Sequence, residues 1–392
     1  MSDNVSGIDE WSVAKRWNPY NSDKLLAQVY RWRLIERGNG IPQPSLVTVD
    51  PVYACNLNCA WCNSDSVLKN RTGRISRKGF EELATGLSDW KGSEDWQKGV
   101  EAVCIAGGGE PLLNPDTGYF IELLREKGIE VGVVTNGLNI DKYIPQLAEC
   151  SWVGVSVDAG TSETYTKLKG LDGHSKVCEN IRKLSAYAKE NTCRLGSETL
   201  GSGVSYKYLL YNGNSKEVAR AAGIAKDIGC RSFHMRPAGI PWDKLAEGEA
   251  FALDKSVKKH LFAELENARQ LEDKTFGVYG ITHKFTEDLT IANYFQSCFA
   301  IFMTAVFAPP AVSDENGLFS VGLCCDRRGD SSLEFGKDFT GFDQFSSLWG
   351  SETHWNMHDR INLSKCPRCT YQPHNQIFEH VIRKDNMTYK FI

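Results

Sequence analysis

The sequence predicts an α/β fold built on a parallel sheet, followed by a smaller cysteine-rich module. Three observations support this prediction. The chain has 392 residues, 24% charged and 41% hydrophobic, which suits two globular domains or one barrel with an appendage. Strand-like and helix-like segments alternate up to Pro241. From about Thr282 onward the sequence changes to loops rich in cysteine, glycine and aromatic residues, with short strands.

Six apolar, β-branched runs predict the strands of the sheet. They are Leu46–Val52, Val100–Ala106, Ile129–Thr135, Trp152–Val157, Val204–Tyr211 and Arg231–Met235. Amphipathic segments between them predict helices, for example Arg77–Trp90, Gly118–Lys127, Lys176–Glu190 and Ser215–Ile228. Strands that alternate with helices in this way form a parallel sheet with right-handed crossover connections.

These patterns divide the chain into four parts. They are a helical extension at 1–44, an α/β domain at 45–240, a helical connector at 241–290 and a cysteine-rich domain at 291–392. We expect the helix over Asp23–Arg37 to pack on the outside of the α/β domain. Asp254–Leu271 is charge-rich and helical in pattern.

Charge and hydropathy exclude several classes of protein. The formal net charge of −4 gives no basic footprint, so we expect no nucleic-acid partner. The first thirty residues do not read as a signal peptide, and no stretch approaches the ~18 apolar residues of a membrane span. We therefore expect a cytoplasmic protein that does not bind membranes. Its 13 cysteines then favour metal binding or redox chemistry over disulfides.

The densest cysteine group follows the first predicted strand. Cys55, Cys59 and Cys62 are separated by three and then two residues, on a βα loop where α/β barrels place their chemistry. Three thiolates can hold three corners of an iron–sulfur cube and leave one iron open. A structural zinc site would need a fourth cysteine or histidine nearby, and the next fifteen residues contain neither.

The spacing Cys-x3-Cys-x-aromatic-Cys, with Trp61 in the aromatic position, resembles the signature of the radical S-adenosylmethionine (SAM) superfamily. The resemblance covers about residues 45–240 and implies a partial (β/α)6 TIM-like barrel. It also implies that a 4Fe–4S cluster binds SAM at its open iron and cleaves it reductively. The resulting 5′-deoxyadenosyl radical abstracts hydrogen from the substrate.

The resemblance extends to a glycine-rich turn after the second predicted strand. Gly108, Gly109 and Glu110 match the family's Gly-Gly-Glu-Pro motif, which implies that they bind the ammonium group of SAM. Glycines let a backbone approach a ligand closely, although a tight turn alone would also explain them.

Three further strand ends carry polar residues that the resemblance places near SAM. Asn136 follows the third strand, Ser156 and Asp158 close the fourth, and Arg236 closes the sixth. Ser156 and Asp158 would contact the ribose or carboxylate, or would cap the strand end. Arg236 would pair with the methionine carboxylate or an acidic substrate group, or would form a structural ion pair.

The C-terminal cysteines predict a second cluster. The candidate ligands are Cys298, Cys324, Cys325, Cys366 and Cys369, of which only one of the adjacent pair is needed, and we favour Cys324. Alone, this set is compatible with zinc, iron–sulfur or no metal. After the first motif it resembles the short "twitch" form of the SPASM auxiliary domain, which implies one 4Fe–4S cluster. Arg327 and Arg328 beside it would bind an anionic group or form a turn with Asp326 and Asp330.

The predicted function is hydrogen abstraction from a small polar or carbohydrate-like substrate, followed by oxidation or epimerisation. Residues 1–44 are too few for the leader-binding domain that peptide-modifying relatives often carry, so a peptide substrate is the alternative. Epimerisation would need a thiol donor, for which Cys104 and Cys230 are candidates. We expect a flavodoxin- or ferredoxin-like electron donor. A hypothesis of another class is a zinc-stabilised binding protein without catalysis.

Overall fold

A computed structural model describes most of the chain. The described residues are 22–38, 40–93, 98–197, 201–239, 241–245, 255–280, 295–311, 317–366 and 369–383. Parts of the predicted extension and connector, residues 1–21, 246–254 and 281–294, therefore lie outside the described residues. Within the described residues no helix is long and apolar enough to cross a membrane.

All six predicted strands are present, and four further strands extend the same sheet. The strands are β1 Leu46–Val49, β2 Ala102–Ile105, β3 Glu130–Thr135, β4 Trp152–Ser156, β5 Gly203–Leu210, β6 Ser232–Pro237, β7 Gly277–Gly280, β8 Val306–Ala308, β9 Phe319–Gly322 and β10 Glu334–Phe339. Their order in the sheet is β10-β9-β8-β1-β2-β3-β4-β5-β6-β7. Every neighbouring pair from β1 to β7 is parallel, as expected for a partial α/β barrel.

The helices lie between these strands and in the C-terminal region. They are α1 Val29–Arg37, α2 Asp65–Asn70, α3 Arg77–Asp89, α4 Thr117–Glu126, α5 Ile144–Ala148, α6 Ser162–Lys169, α7 His174–Glu190, α8 Val218–Asp227, α9 Lys255–Arg269, α10 Phe342–Ser346, α11 Glu352–Asp359 and α12 Gln372–Ile377. Helix α9 occupies the predicted helical connector.

Helix α3 illustrates how the sequence forms this layer. Ser76 caps its start, with Oγ accepting a hydrogen bond from the Gly79 amide at 3.2 Å. Buried Phe80, Leu83 and Leu87 recur at helical spacing and face the sheet. Phe80 stacks on Phe120 of α4 with ring centroids 4.3 Å apart. The core therefore lies between the sheet and its outer helices.

Alternate strand residues face the interior of the barrel. In β2, Val103 and Ile105 are buried in the core, whereas Cys104 between them is only half-buried. Cys104 lies within electrostatic range of Lys207 on β5 and Arg328 near the C terminus, which places its thiol on the inner face. Cys230, by contrast, is buried in the outer core.

The C-terminal strands continue the sheet of the barrel. The cysteine-rich region was predicted as a small C-terminal domain, and its strand β8 pairs in parallel with β1. Thr48 and Asp50 donate backbone hydrogen bonds to the carbonyls of Ala305 and Phe307 at 2.9 and 2.7 Å. Because all three residues of β8 are buried, this apolar strand is stable only inside a sheet. The sheet of the barrel thus continues into the cysteine-rich region.

The described part of the N-terminal extension packs between two regions. Gly38, with φ of 72°, ends α1 in the left-handed conformation that favours glycine. Arg31 of α1 pairs with Glu101 at 2.6 Å, just before β2. Trp32 lies against His374 of α12, with ring centroids 5.5 Å apart. The helix therefore contacts the C-terminal region as well as the barrel.

Candidate SAM and iron–sulfur site

The cysteine loop, residues Cys55–Cys62, begins six residues after β1 ends at Val49. Its backbone is held by the end of α6, because the amides of Asn58 and Ala60 donate to the carbonyls of Lys169 and Leu168, both at 3.0 Å. The loop therefore has a fixed position at the carboxyl edge of the barrel, where barrel enzymes place their sites.

The three thiols of the cysteine loop lie close enough to influence one another. Burial, together with negative charge on Cys62 and Cys55, raises the pKa of Cys59 to about 11, although the Lys169 ammonium opposes the shift. Burial likewise raises the pKa of Cys55 and of Cys62. A group of neighbouring thiolates in this environment is stable only with positive charge between its members, which iron ions would supply.

Trp61, the aromatic residue of the motif, is buried at the edge of the cavity beside the cysteine loop. Its ring lies 4.7 Å from that of Tyr211 and 5.9 Å from the Lys169 ammonium. Trp61 therefore anchors the loop to the ends of β5 and α6 by packing.

The glycine loop, residues Gly107–Pro111, lies directly against the cysteine loop. The Glu110 amide donates to the Ala54 carbonyl at 2.8 Å. A Cβ atom on Gly109 would lie 2.2 Å from the same carbonyl oxygen, and one on Gly108 would lie 3.0 Å from the Tyr53 ring. Glycine at 109 is thus required by the close approach of the Ala54 carbonyl, just before the cysteine loop, and Gly108 packs tightly against the Tyr53 ring. Ligand approach, the reason given from the sequence, did not include these contacts.

Glu110 joins the glycine loop to the end of β3. Its carboxylate accepts hydrogen bonds from the Thr135 hydroxyl at 2.5 Å, the Asn136 amide at 2.7 Å and the Leu112 amide at 3.1 Å. Burial nevertheless raises the pKa of Glu110. A carboxylate has about four acceptor positions, so one remains for an ammonium donor. The Asn136 side chain donates to Asn56 of the cysteine loop at 2.7 Å.

Asp158 is buried and forms an ion pair with Lys169, a residue that was not among the predicted site residues. Its carboxylate accepts from the Lys169 ammonium and, at 2.7 Å, from the Leu209 amide. Asp158 also has a φ of 62°, the left-handed conformation that non-glycine residues rarely adopt. Burial alone would lower the pKa of Lys169, but Asp158 and the Cys59 thiol hold it above its ordinary value. The alternative prediction, a strand-end capping role, describes these contacts well.

A cavity of about 360 Å³ opens between the predicted site residues. Its lining includes Cys59, Cys62, Ser156, Lys207, Asp326 and Arg328. Asp158 and the exposed Arg236 also line it. Within the described part of the chain Arg236 has no ion pair, so the structural pairing considered above is not observed. We call this space the shared cavity, because residues of both cysteine-rich regions face it.

The C-terminal cysteines surround a second, smaller cavity. Cys298, Cys324, Cys366 and Cys369 all line it, and Cys325 does not. Burial, together with negative charge on Cys366, raises the pKa of Cys298 to about 11. Four half-buried thiols at one cavity fit a cluster that neutralises them. Among the described residues, no three metal-binding side chains come close enough together to hold a single metal ion. A four-iron cube needs no such convergence, because each thiolate would bind a different iron.

Hydrogen-bond donors surround these sulfur atoms. The Arg327 guanidinium donates to Cys366 Sγ at 3.6 Å, and the Asn375 amide donates to Cys298 Sγ at 3.8 Å. Cys325 instead accepts from the Tyr371 hydroxyl at 3.2 Å. Adjacent side chains in an extended segment point to opposite sides, so the two neighbouring thiols diverge.

The auxiliary loop, residues Cys324–Asp330, is tied to the barrel. Arg327 pairs with Asp330, as the turn prediction expected. Arg328 instead reaches Asp50 at the end of β1, with Nε and Nη2 donating to its two oxygens at 2.5 and 3.0 Å. Its Nη1 donates to the Cys325 carbonyl at 2.7 Å. This bidentate pair links the two cysteine-rich regions, and no sequence pattern indicated it.

Comparison with known proteins agrees with this geometry. Residues 49–210 match the family model described as the radical SAM superfamily. The sequence is 26% identical over 200 residues to the antilisterial bacteriocin subtilosin biosynthesis protein AlbA of Bacillus subtilis, covering 50% of this chain and 40% of AlbA. It is 26% identical over 221 residues to the mycofactocin maturase MftC of Mycobacterium tuberculosis, covering 55% of this chain and 51% of MftC. The chain thus spans about half the length of these relatives.

A solved structure shows the same fold over most of the chain. Streptococcus suis SuiB, bound to its precursor peptide SuiA, superimposes with a TM-score of 0.56 at 16% sequence identity. The match covers 91% of this chain and 78% of SuiB.

Proposed function

Because the chain belongs to the radical SAM superfamily, we propose that Cys55, Cys59 and Cys62 hold its catalytic 4Fe–4S cluster and that its substrate is a peptide. SAM and 4Fe–4S clusters, including an auxiliary one, are the cofactors of this enzyme. The ligand residues and the substrate are our proposal.

The shared cavity is the observation that carries this proposal. Cys59 and Cys62 face it from the barrel, while Asp326 and Arg328 face it from the auxiliary loop. A substrate in this space would therefore lie between the two proposed clusters. When bound, SAM and the catalytic cluster supply a 5′-deoxyadenosyl radical that removes a hydrogen atom from a substrate carbon.

The residues around the cavity hold this arrangement in place. Glu110 fixes the glycine loop on the end of β3 and has an acceptor position left for the SAM ammonium. Together with Gly108, Gly109 and Asn136, it forms our proposed contact surface for the methionine part. Ser156 and Arg236 line the cavity and are proposed to contact its carboxylate or the ribose, whereas the Asp158–Lys169 pair supports the cysteine loop from behind.

The C-terminal thiols are proposed to bind the auxiliary cluster through Cys298, Cys324, Cys366 and Cys369. A cluster with four protein ligands has no open iron, so its role is electron transfer or support of the fold. The hydrogen bonds from Arg327 and Asn375 would tune its reduction potential.

The relatives favour a peptide over the small carbohydrate-like substrate that the sequence analysis placed first. AlbA belongs to bacteriocin biosynthesis, MftC is a maturase, and SuiB binds a precursor peptide. A cavity of about 360 Å³ accommodates one or two side chains of a peptide, with the remainder outside. The prediction of an oxidoreductase or epimerase is retained as a proposal for what happens to the peptide.

Anaerobic reconstitution followed by isotope transfer tests this function. We expect the reduced protein to contain about eight irons and to release 5′-deoxyadenosine from SAM. Short peptides encoded beside the gene would be synthesised with deuterium at every carbon and incubated with the enzyme. Deuterium should appear in 5′-deoxyadenosine.

Cys59→Ala removes a proposed ligand and should produce no 5′-deoxyadenosine. The matched control is Cys193→Ala, which removes a scattered thiol outside both sites. Deuterium transfer from a labelled carbohydrate but from no peptide would reverse the choice of substrate. A colourless protein with stoichiometric zinc would overturn the enzyme assignment altogether.

A further inference from the structure

Lys207 lies on the inner face of β5, in a segment from which no binding residue was predicted. In the parallel register it stands between Ser156 of β4 and His234 of β6. All three side chains line the shared cavity. Lys207 thus belongs to a polar row that crosses three strands of the barrel interior.

The barrel contains a slot for the Lys207 side chain. A Cβ atom on Gly154 would lie 2.1 Å from Lys207 Cε, so glycine at that position leaves room for the lysine in the conformation it adopts here. The ammonium lies 5.2 Å from the centre of the Trp152 ring, at the opposite end of β4 from the cysteine loop. The side chain therefore extends down into the barrel, away from the catalytic loop.

The other charges at the cavity have protein partners. Lys169 pairs with Asp158, Arg328 pairs with Asp50, and Asp326 accepts two hydrogen bonds from Thr370. Two cations remain that have no carboxylate partner among the described residues, namely Lys207 and Arg236. Burial, together with the charge of Arg236, lowers the pKa of Lys207 to about 8.

An anion beside Lys207 would relieve both effects. A singly charged carboxylate suits a single ammonium, whereas a phosphate usually needs several donors. SAM brings one carboxylate to the cavity, and Arg236 at the carboxyl end of β6 is our proposed partner for it. Lys207 therefore remains available for a group on the substrate.

We propose that Lys207 and the slot beside Gly154 form a substrate subsite that binds an acidic side chain of the peptide. This inference rests on the proposed function and adds the chemical class of the recognised residue. A desolvated ammonium discriminates strongly against a neutral amide of the same shape, because the amide leaves the charge without a counterion.

Paired probes test this subsite on the reconstituted, SAM-loaded enzyme. N-acetylglutamic acid amide, N-acetylglutamine amide and N-acetylphosphoserine amide would be titrated calorimetrically. We expect the carboxylate to bind about tenfold tighter than its amide counterpart. Lys207→Met, which keeps the length of the side chain and removes its charge, should abolish the preference. Exposed Lys216→Met should keep it.

Several results would overturn the proposal. The wild type could show no preference for the carboxylate over the amide, or could bind the phosphate more tightly than the carboxylate. Lys207→Met could keep the wild-type preference, or could lose SAM binding. If Lys207→Met fails to take up iron, the subsite is tested in the wild type by chemical labelling of the Lys207 amine. The glutamate probe should protect this amine from labelling, and the glutamine probe should not. Equal labelling with both probes would contradict the subsite. The probes report binding alone, whereas deuterium transfer reports the reaction with a peptide. Failure of the proposed function can therefore be distinguished from failure of the proposed subsite.

Discussion

At the scale of single residues, adjacent thiols in the auxiliary loop have different surroundings. Cys324 faces the cavity that Cys298, Cys366 and Cys369 also line, whereas Cys325 accepts from the Tyr371 hydroxyl. The sequence reduced the choice to one of the two, and the direction of each side chain favours Cys324 as the ligand.

Substitution of each thiol tests this choice. Cys324→Ala should lower the iron content of the reconstituted protein from about eight towards about four, because one iron of the auxiliary cube would lose its protein ligand and no SAM is proposed to take its place. Cys325→Ala should leave it near eight. Iron and sulfide analysis measures both proteins. The opposite ranking would make Cys325 the ligand.

The Asp158–Lys169 pair is a second residue-scale feature with a measurable effect. Both side chains are almost completely buried, at 0% and 3% exposure. Lys169→Met leaves the carboxylate unpaired and should lower the free energy of unfolding by about 3–5 kcal/mol. The double variant Lys169→Met with Asp158→Asn should recover part of this loss. Urea unfolding measures the difference, with exposed Lys167→Met as the control, and an effect below 1 kcal/mol would contradict the pair's structural role.

Lys207 gives a pH dependence of defined sign. Its pKa of about 8 in the folded protein lies below the ordinary value of 10.5, so between these pH values the unfolded chain binds more protons than the folded one. The contribution of Lys207 to stability therefore rises as the pH rises from about 8 to about 10.5. Lys207→Met should be more stable than the wild type at pH 7, with the gap closing by pH 10. Urea midpoints measured without added anions check this, and a gap that does not change with pH would contradict it.

At the scale of elements, the link between β1 and the auxiliary loop depends on Asp50 and Arg328. These residues are 278 positions apart, and their carboxylate and guanidinium form a bidentate pair. Lysine has a single donor centre and cannot reproduce this geometry. We expect Arg328→Lys to keep both clusters but to lower stability by about 1–3 kcal/mol.

Thermal unfolding of the reconstituted protein, together with its iron content, checks this prediction. Arg360→Lys, at the exposed end of α11, is a matched control. Iron loss in Arg328→Lys without a change in unfolding temperature would assign the arginine to cluster binding instead.

The sequence predicted the six central strands by range and short strands in the C-terminal region, but not that further strands extend the same sheet. Periodicity identified β1 to β6 because each is an apolar run between helices. β7 contains two glycines in four residues, and β8 has only three residues, so neither has a detectable period. Pairing between β1 and β8 depends on contacts distant in sequence, which local pattern cannot reveal.

The candidate site divides in the same way. The cysteine loop and the glycine loop were predictable because close spacing in sequence reflects close packing in space. Lys207, Lys169 and the Asp50–Arg328 pair were not, because their importance depends on which charges find partners after folding and which do not. Asp158 was predicted from its place at the end of a strand. In the structure its carboxylate is buried and forms an ion pair with Lys169.

At the scale of the whole molecule, one sheet connects the proposed catalytic and auxiliary regions. If these regions fold as one unit, the amides of β8 should open only with those of β1. Hydrogen exchange of the reconstituted protein measures this, with central β3 as the slow reference and exposed α11 as the fast one. We expect protection in Val306–Ala308 to be within about tenfold of that in Leu46–Val49, since an opening free energy that differs by 1.4 kcal/mol changes exchange by that factor. Exchange in β8 to β10 that is a thousandfold faster than in β1 and β2 would restore the separate module that the sequence first suggested. It would also mean that a substrate in the shared cavity lies between two bodies that move independently.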